Sequence, residues 1–166
     1  SWLTAEIGRL RREAEIVLVT PHWGPNMTTE PPPYVRAAAR ELVAAGATLV
    51  AGHSAHLCHG VAWPVLYDLG DFLDDYRADP RLRNDLSLLF LVTVDRHGPL
   101  GLRALPLRLE YGYTRLATGA DRARIRDRFA AACAALGTGP LRDDGALVLA
   151  APAGAAPGVV RPAPGT

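Results

Sequence analysis

The sequence predicts an α/β fold, because an apolar strand, an amphipathic helix and a second apolar strand follow one another over residues 16–51 with short links. That order favours neighbouring parallel strands joined by a right-handed crossover. Both strands then end at the same carboxyl edge of the sheet, where open α/β sheets place their ligands. With 166 residues, 49% of them hydrophobic and 21% charged, the chain is one domain or a large piece of one. A chain of this size buries roughly two-thirds of its unfolded surface.

Leu3, Ile7, Leu10 and Ala14 recur at helical spacing and predict a helix over 2–14; Ile16-Val17-Leu18-Val19 reads as a buried strand. Pro21 stops that strand, His22-Trp23-Gly24 makes a turn, and residues 25–33 form a proline-rich loop. A second helix begins near Tyr34, with Val35, Ala38, Ala39, Leu42 and Val43 on one face and Gly46 as its left-handed cap. Residues 48–51 are the next strand, and Gly52 opens a second histidine turn. Val65-Leu66-Tyr67 predicts a short strand ending in the acidic stretch 68–76. Strands over 86–95 and 100–111 are joined by His97-Gly98 as a hairpin. Residues 122–136 make an amphipathic helix with Ile125, Phe129, Ala132, Cys133 and Leu136 inward, and 146–150 a last strand. Residues 1–150 are therefore read as the folded part. The Ala/Pro/Gly composition of 151–166 predicts a disordered tail.

Composition narrows the function. A formal net charge of +1 gives no large positive field, which argues against nucleic acid as the main partner. All 18 basic residues are arginine, in an Ala/Gly/Pro-rich background that reads as codon bias more than selection for phosphate. No apolar run approaches the roughly 20 residues of a membrane span. Cys58 and Cys133 lie far apart and form no paired-ligand motif, so both are read as core.

The chemistry lies in two histidine-bearing turns, Pro21-His22-Trp23-Gly24 and Gly52-His53-Ser54-Ala55-His56. Imidazoles set where buried strands end are held by a rigid sheet while facing a cleft, as metal ligands or an acid/base pair require. Asn26 is positioned to offer an amide to a substrate, and Arg36 with Arg40 to meet an anionic polymer or phosphate. Ser54 is read as a turn residue, and His59 and His97 as surface residues.

His22-Trp23-Gly24-Pro25-Asn26, Gly52-His53-Ser54-Ala55-His56 and Tyr67-Asp68-Leu69-Gly70-Asp71-Phe72, in this order and spacing, resemble the CapA family of capsule-synthesis proteins over residues 2–150. The resemblance implies a calcineurin-like metallophosphoesterase sandwich, present here in part as a βαβ unit followed by a β-hairpin and a helix. It also implies a role in poly-γ-glutamate capsule formation, a location at the cell envelope, and an anionic polymer or phosphate ester as substrate. By the same resemblance a divalent metal, manganese, iron or zinc, would be held by His22, His53, His56, Asp68 and Asp71, with His22 and His56 catalytic. Ser54 stands where the family commonly has another histidine, and Asp68 and Asp71 where it commonly has serine and asparagine. The family's earlier Gly-Asp and Asn-His motifs do not precede His22, so residues 1–150 are expected to be the carboxyl-terminal part of such a domain. Self-association, or a missing amino-terminal half, follows from that expectation. The alternative is a non-catalytic binding or assembly module that has lost the dinuclear site.

Overall fold

Ser1 starts the first helix through a capping box, its hydroxyl accepting from the Thr4 amide at 3.3 Å while its own backbone nitrogen donates to the Thr4 hydroxyl at 3.0 Å. In the computed structural model, which describes residues 1–75, 77–139 and 141–152, this helix, α1 (Trp2–Leu10), is shorter than its periodicity predicts. The Arg11 guanidinium turns back onto the carbonyls of Ala14 and Glu15, which ends the helical ladder and bends the chain toward the sheet. There follow β1 (Leu18–Val19), α2 (Pro33–Ala44), β2 (Leu49–Ala51), β3 (Val61–Ala62) and β4 (Val65–Leu66). The second half holds β5 (Leu86–Asp95), β6 (Gly98–Glu110), β7 (Tyr113–Leu116), α3 (Gly119–Ala135), β8 (Arg142–Asp143) and β9 (Leu147–Ala150). Of the predicted tail, residues 153–166 lie outside the described residues.

The expected βαβ unit is present. β1 and β2 pair in parallel with Leu18 opposite Leu49, β2 pairs in parallel with β4, and β3 closes the sheet antiparallel to β4. Alternation gives the first sheet two covered faces. Val50, Val65 and Tyr67 pack with Ile7 of α1 and with Val35, Ala39 and Leu42 of α2. Leu49, Val61 and Leu66 join the larger core formed with Leu86, Leu88 and Leu102 of the second sheet and Ile125, Phe129 and Cys133 of α3. Burying side chains of this kind stabilises by roughly 1.5–3 kcal/mol each. Gly60 lets α3 approach: a Cβ there would meet the Cys133 nitrogen at 2.7 Å.

In the second sheet β6 pairs with β5 along one edge and shares its other edge between β9 and β7. The hairpin turn is Arg96-His97, one residue earlier than the sequence suggests, since Asp95 pairs with Gly98. The Asp95 carboxylate fixes it by accepting from the amides of His97 at 2.7 Å and Gly98 at 3.1 Å. An ion-pair network ties this sheet to α3: Asp85, 6% exposed, accepts from Arg83 and Arg108 at 2.8 Å each, and both arginines also reach Asp121. Burial raises the Asp85 carboxyl, but the two guanidiniums outweigh it and hold its pKa below the ordinary value.

Candidate functional site

The first two turns are extensions of the parallel ladder. Beyond the ends of β1 and β2, His22 and His53 form one more parallel bridge, with the Trp23 amide donating to the His53 carbonyl at 3.0 Å and the His53 amide to the Pro21 carbonyl at 3.1 Å. Residues 31 apart in sequence therefore stand side by side on one face. Their imidazoles meet Nδ1 to Nδ1 at 3.1 Å with rings inclined at 65°.

The third turn is laced to the second in the same way, the Leu69 amide donating to the Gly52 carbonyl at 3.0 Å. Gly52 has no room for a side chain: a Cβ would overlap the Trp23 indole nitrogen and the Tyr67 carbonyl, with Trp23 Cε2 at 2.7 Å. Trp23 uses that space, donating its Nε1–H to the Tyr67 carbonyl at 2.8 Å and stacking on the Tyr67 ring at 6.3 Å. Both residues stand in the histidine turns that the sequence singles out, and neither is among its candidate ligands or catalytic groups. The signal for Gly52 was its place between a strand and a histidine.

Asp68 braces the turns. It is 2% exposed, and its two oxygens accept from the Ala55 amide at 2.8 Å and the Gly70 amide at 2.9 Å. Burial raises its pKa against the pull of those two bonds. Asp71 stands apart from it with His56: their Oδ1 and Nδ1 are 2.9 Å apart, while the second oxygen, Oδ2, is buried with no hydrogen-bond partner. Burial pushes the Asp71 carboxyl above its ordinary range, and His56 opposes that push. His56 sits at φ 60° and Ser54 at φ 140°, conformations that L side chains rarely adopt and that cost of order 1–3 kcal/mol each. The Ser54 hydroxyl donates to the Gly24 carbonyl at 3.0 Å, which confirms it as a turn residue.

The remaining candidates separate. Asn26 is exposed beside Met27, whose amide is anchored to the Ala55 carbonyl at 2.9 Å. Arg36 donates its Nε to the Pro31 carbonyl at 3.0 Å and lines a cavity that contains none of the five predicted ligands. His59, expected at the surface, is 4% exposed and bonded through Nε2 to the Thr28 carbonyl at 2.8 Å. It pins the proline-rich loop to the core, and its apparent isolation in sequence concealed that long-range partner. Cys58 and Cys133 are buried as expected, and burial pushes the Cys58 thiol up to about 11, which makes it inert.

The spacing of His22 and His53 suits two donors on one ion, because metal–nitrogen bonds of about 2.0–2.1 Å at tetrahedral or right angles leave about 3 Å between the nitrogens. The five predicted ligands do not form one set. Among the described residues, no three or more His, Cys, Asp or Glu side chains are grouped to hold a metal. What stands at the sheet edge is a pair of imidazoles, His22 with His53, and a separate His56–Asp71 pair.

Among the described residues, fold and site together define a mixed α/β protein with two sheets, three helices and a histidine-bearing carboxyl edge, consistent with part of a metallophosphoesterase-like domain. Residues 1–76 match the family described as Bacterial capsule synthesis protein PGA_cap. Proteins of two Mycobacterium tuberculosis strains, each named a probable polyglutamine synthesis accessory protein, are 33% identical over 116 residues, covering 64% of this chain and 30% of the relative. Capsule biosynthesis protein CapA of Bacillus anthracis is 29% identical over 117 residues, covering 68% of this chain and 28% of the relative. Over this stretch the chain is similar to capsule biosynthesis proteins of the CapA type. The matched part spans less than a third of the length of these curated relatives. Among the described residues, no helix is long and apolar enough to cross a membrane.

Proposed function

We propose that this chain works in capsule biosynthesis at the cell envelope as the carboxyl-terminal part of a metal-dependent, phosphoesterase-like hydrolase. The observation that carries the reading is the His22–His53 pair at 3.1 Å beside the His56–Asp71 pair at 2.9 Å, both built on adjoining strand ends. His22 and His53 would hold a divalent ion, with the remaining donors supplied by other parts of a longer protein. Such an ion, when bound, acidifies a water and polarises a phosphoryl or acyl oxygen.

The other roles belong to the chain's own side chains. Asp71, ionised, accepts from His56 Nδ1–H and stabilises the imidazolium, whose Nε2–H gives its proton to the substrate's leaving oxygen and leaves the neutral Nδ1–H tautomer on Asp71. Asn26 offers its amide to the anionic polymer or phosphate ester that is the substrate. The strained backbone at Ser54 and His56 is held by the laced turns and aims that imidazole outward.

Metal uptake tests the reading directly. The longer protein that carries the remaining donors, dialysed against manganese or zinc and assayed by plasma emission, should retain stoichiometric metal, and His22→Ala or His53→Ala should release it. Only a trace in the unaltered longer protein would sink the proposal and leave the binding or assembly module. A second expectation concerns the outer edge of β1, where Ile16 is 45% and Leu18 56% exposed although Leu18 lies on the same face as buried Leu49. We propose that further polypeptide covers this edge in the longer protein, so that the chain alone self-associates through it. Light scattering at rising concentration should show a mass above one chain that Leu18→Lys returns to monomer. A monomer at high concentration without that substitution would refute it.

A further inference from the structure

The turn between β6 and β7 is tied to the acidic stretch that follows Asp71. The Gly112 amide donates to the Asp74 carbonyl at 3.0 Å, and the Thr114 hydroxyl donates to that of Phe72. Large apolar side chains gather on the two joined segments and stay in the open. Phe72, Leu73 and Tyr113 are each more than half exposed, and Tyr111 is 83% exposed. Contiguous aromatic surface left in water marks a place where something binds.

Tyr111 also lines a cavity of about 200 Å³. Buried Asn84 and Asp85 form its floor, with Asp74, Arg108 and Glu110 around them. Its charges are spent within the protein. Arg108, the one cation among the described lining residues, is shared between Asp85 and Asp121, and Arg115 holds Glu110 Oε1 at 2.9 Å. Asn84 Oδ1 accepts from the Asp79 amide at 2.8 Å, so the side-chain amide hydrogens are what Asn84 can offer. The cavity therefore presents carboxylate oxygens, an amide and a phenol. Such a lining suits a neutral molecule with many hydroxyls and an apolar face. Carboxylates accept from hydroxyls in short charge-assisted bonds, and an aromatic ring covers the C–H face.

We propose that this cavity takes one ring of a neutral polysaccharide, its hydroxyls donating to Asp74 and Glu110 and accepting from Asn84, its C–H face on Tyr111. The neighbouring rings run over Tyr113 and Phe72. The volume suits a single pyranose, and an anionic chain is disfavoured because its own charges would meet Asp74 and Glu110. Phe72 directly follows Asp71, so the saccharide lies beside the His56–Asp71 pair. Its binding needs neither a metal nor the hydrolytic reading above.

Calorimetry and saturation-transfer NMR on the whole chain, with metal chelated, test it with maltotriose and chitotriose as neutral probes and triglutamate as the anionic one. At least one trisaccharide is expected to bind at millimolar concentration, with saturation strongest on the C–H hydrogens of one ring. Tyr111→Ala should weaken it by at least about fivefold, as loss of an aromatic contact predicts. Tyr111→Phe, which keeps the ring, should bind as the parent does. Tyr34→Ala, which removes another exposed tyrosine on α2, should change nothing. Ala78→Leu, on the cavity wall, should abolish binding. The Tyr111 side chain packs on little, so Tyr111→Ala should melt as the parent does and decides the matter even if Ala78→Leu unfolds. The proposal is overturned if neither trisaccharide binds at millimolar concentration, if Tyr34→Ala weakens binding as much as Tyr111→Ala, or if triglutamate binds as tightly through the same residues.

Discussion

Gly52→Ala is expected to destabilise the protein by about 4 kcal/mol, a large part of the roughly 5–15 kcal/mol that holds a domain of this kind together. The added methyl has nowhere to go. On one side stands the Tyr67 carbonyl, which is backbone and braced, and on the other the Trp23 indole at 2.7 Å. If the indole yields, its 2.8 Å hydrogen bond to Tyr67 and its stacking are lost, and the carbonyl becomes a half-buried acceptor without a donor. Overpacking commonly costs 1–3 kcal/mol and an unsatisfied buried polar group about as much again. Urea denaturation monitored by far-ultraviolet circular dichroism reads the effect. A loss under about 1 kcal/mol would show that the turns are far looser than this contact requires.

The second large effect is expected on activity. Loss of a positioned general acid removes about 10²- to 10⁴-fold in rate, so His56→Ala should reduce the proposed manganese-dependent hydrolysis of a phosphate ester by at least a hundredfold while leaving metal uptake intact. His22→Ala should abolish both, because its role is to hold the ion. The two variants thus separate proton transfer from metal holding. His56→Gly adds a sign that a purely structural histidine would not give. At φ 60° glycine relieves the strain that any other residue carries, so this variant should melt higher than His56→Ala by about 1 kcal/mol while being equally inactive. Full activity in either His56 variant would place the chemistry elsewhere.

Elements with a long repeat were legible before any coordinates. The face Val35-Ala39-Leu42 marked α2 to within two residues, and Ile125-Phe129-Cys133 marked α3 to within three at its start. β3, β7 and β8 went unseen: β3 and β8 are two residues long and leave no periodicity to read, and β7 is largely exposed, so no apolar run marks it. β1 shrank because Ile16 is exposed where a continuous apolar run suggested burial. The convergence of His22 and His53 followed from topology alone, since parallel neighbours must end together. The division of labour between the two acidic residues did not. Asp68-Leu69-Gly70 carries an aspartate whose side chain bonds the amide two residues on, a local turn signature that reads equally well as a cation ligand until the Ala55 amide is seen on its other oxygen. Glu110, Tyr111 and Tyr113 were missed because a strand turn brings them to Phe72 and Asp74 only in three dimensions.

The lacing of the three turns has a consequence for how such a site can be lost or kept. Strand ends joined by the amides of Trp23, His53 and Leu69, then bolted by an indole and a buried carboxylate, open as one unit and leave few partial states between intact and frayed. Drift that spares the scaffold can exchange an exposed imidazole cheaply, whereas Gly52, Trp23 and Asp68 are fixed by the contacts that hold the turns together. In descendants of this sequence the mortar would outlast the chemistry, and a motif match built on it would record shared architecture long after any reaction had gone.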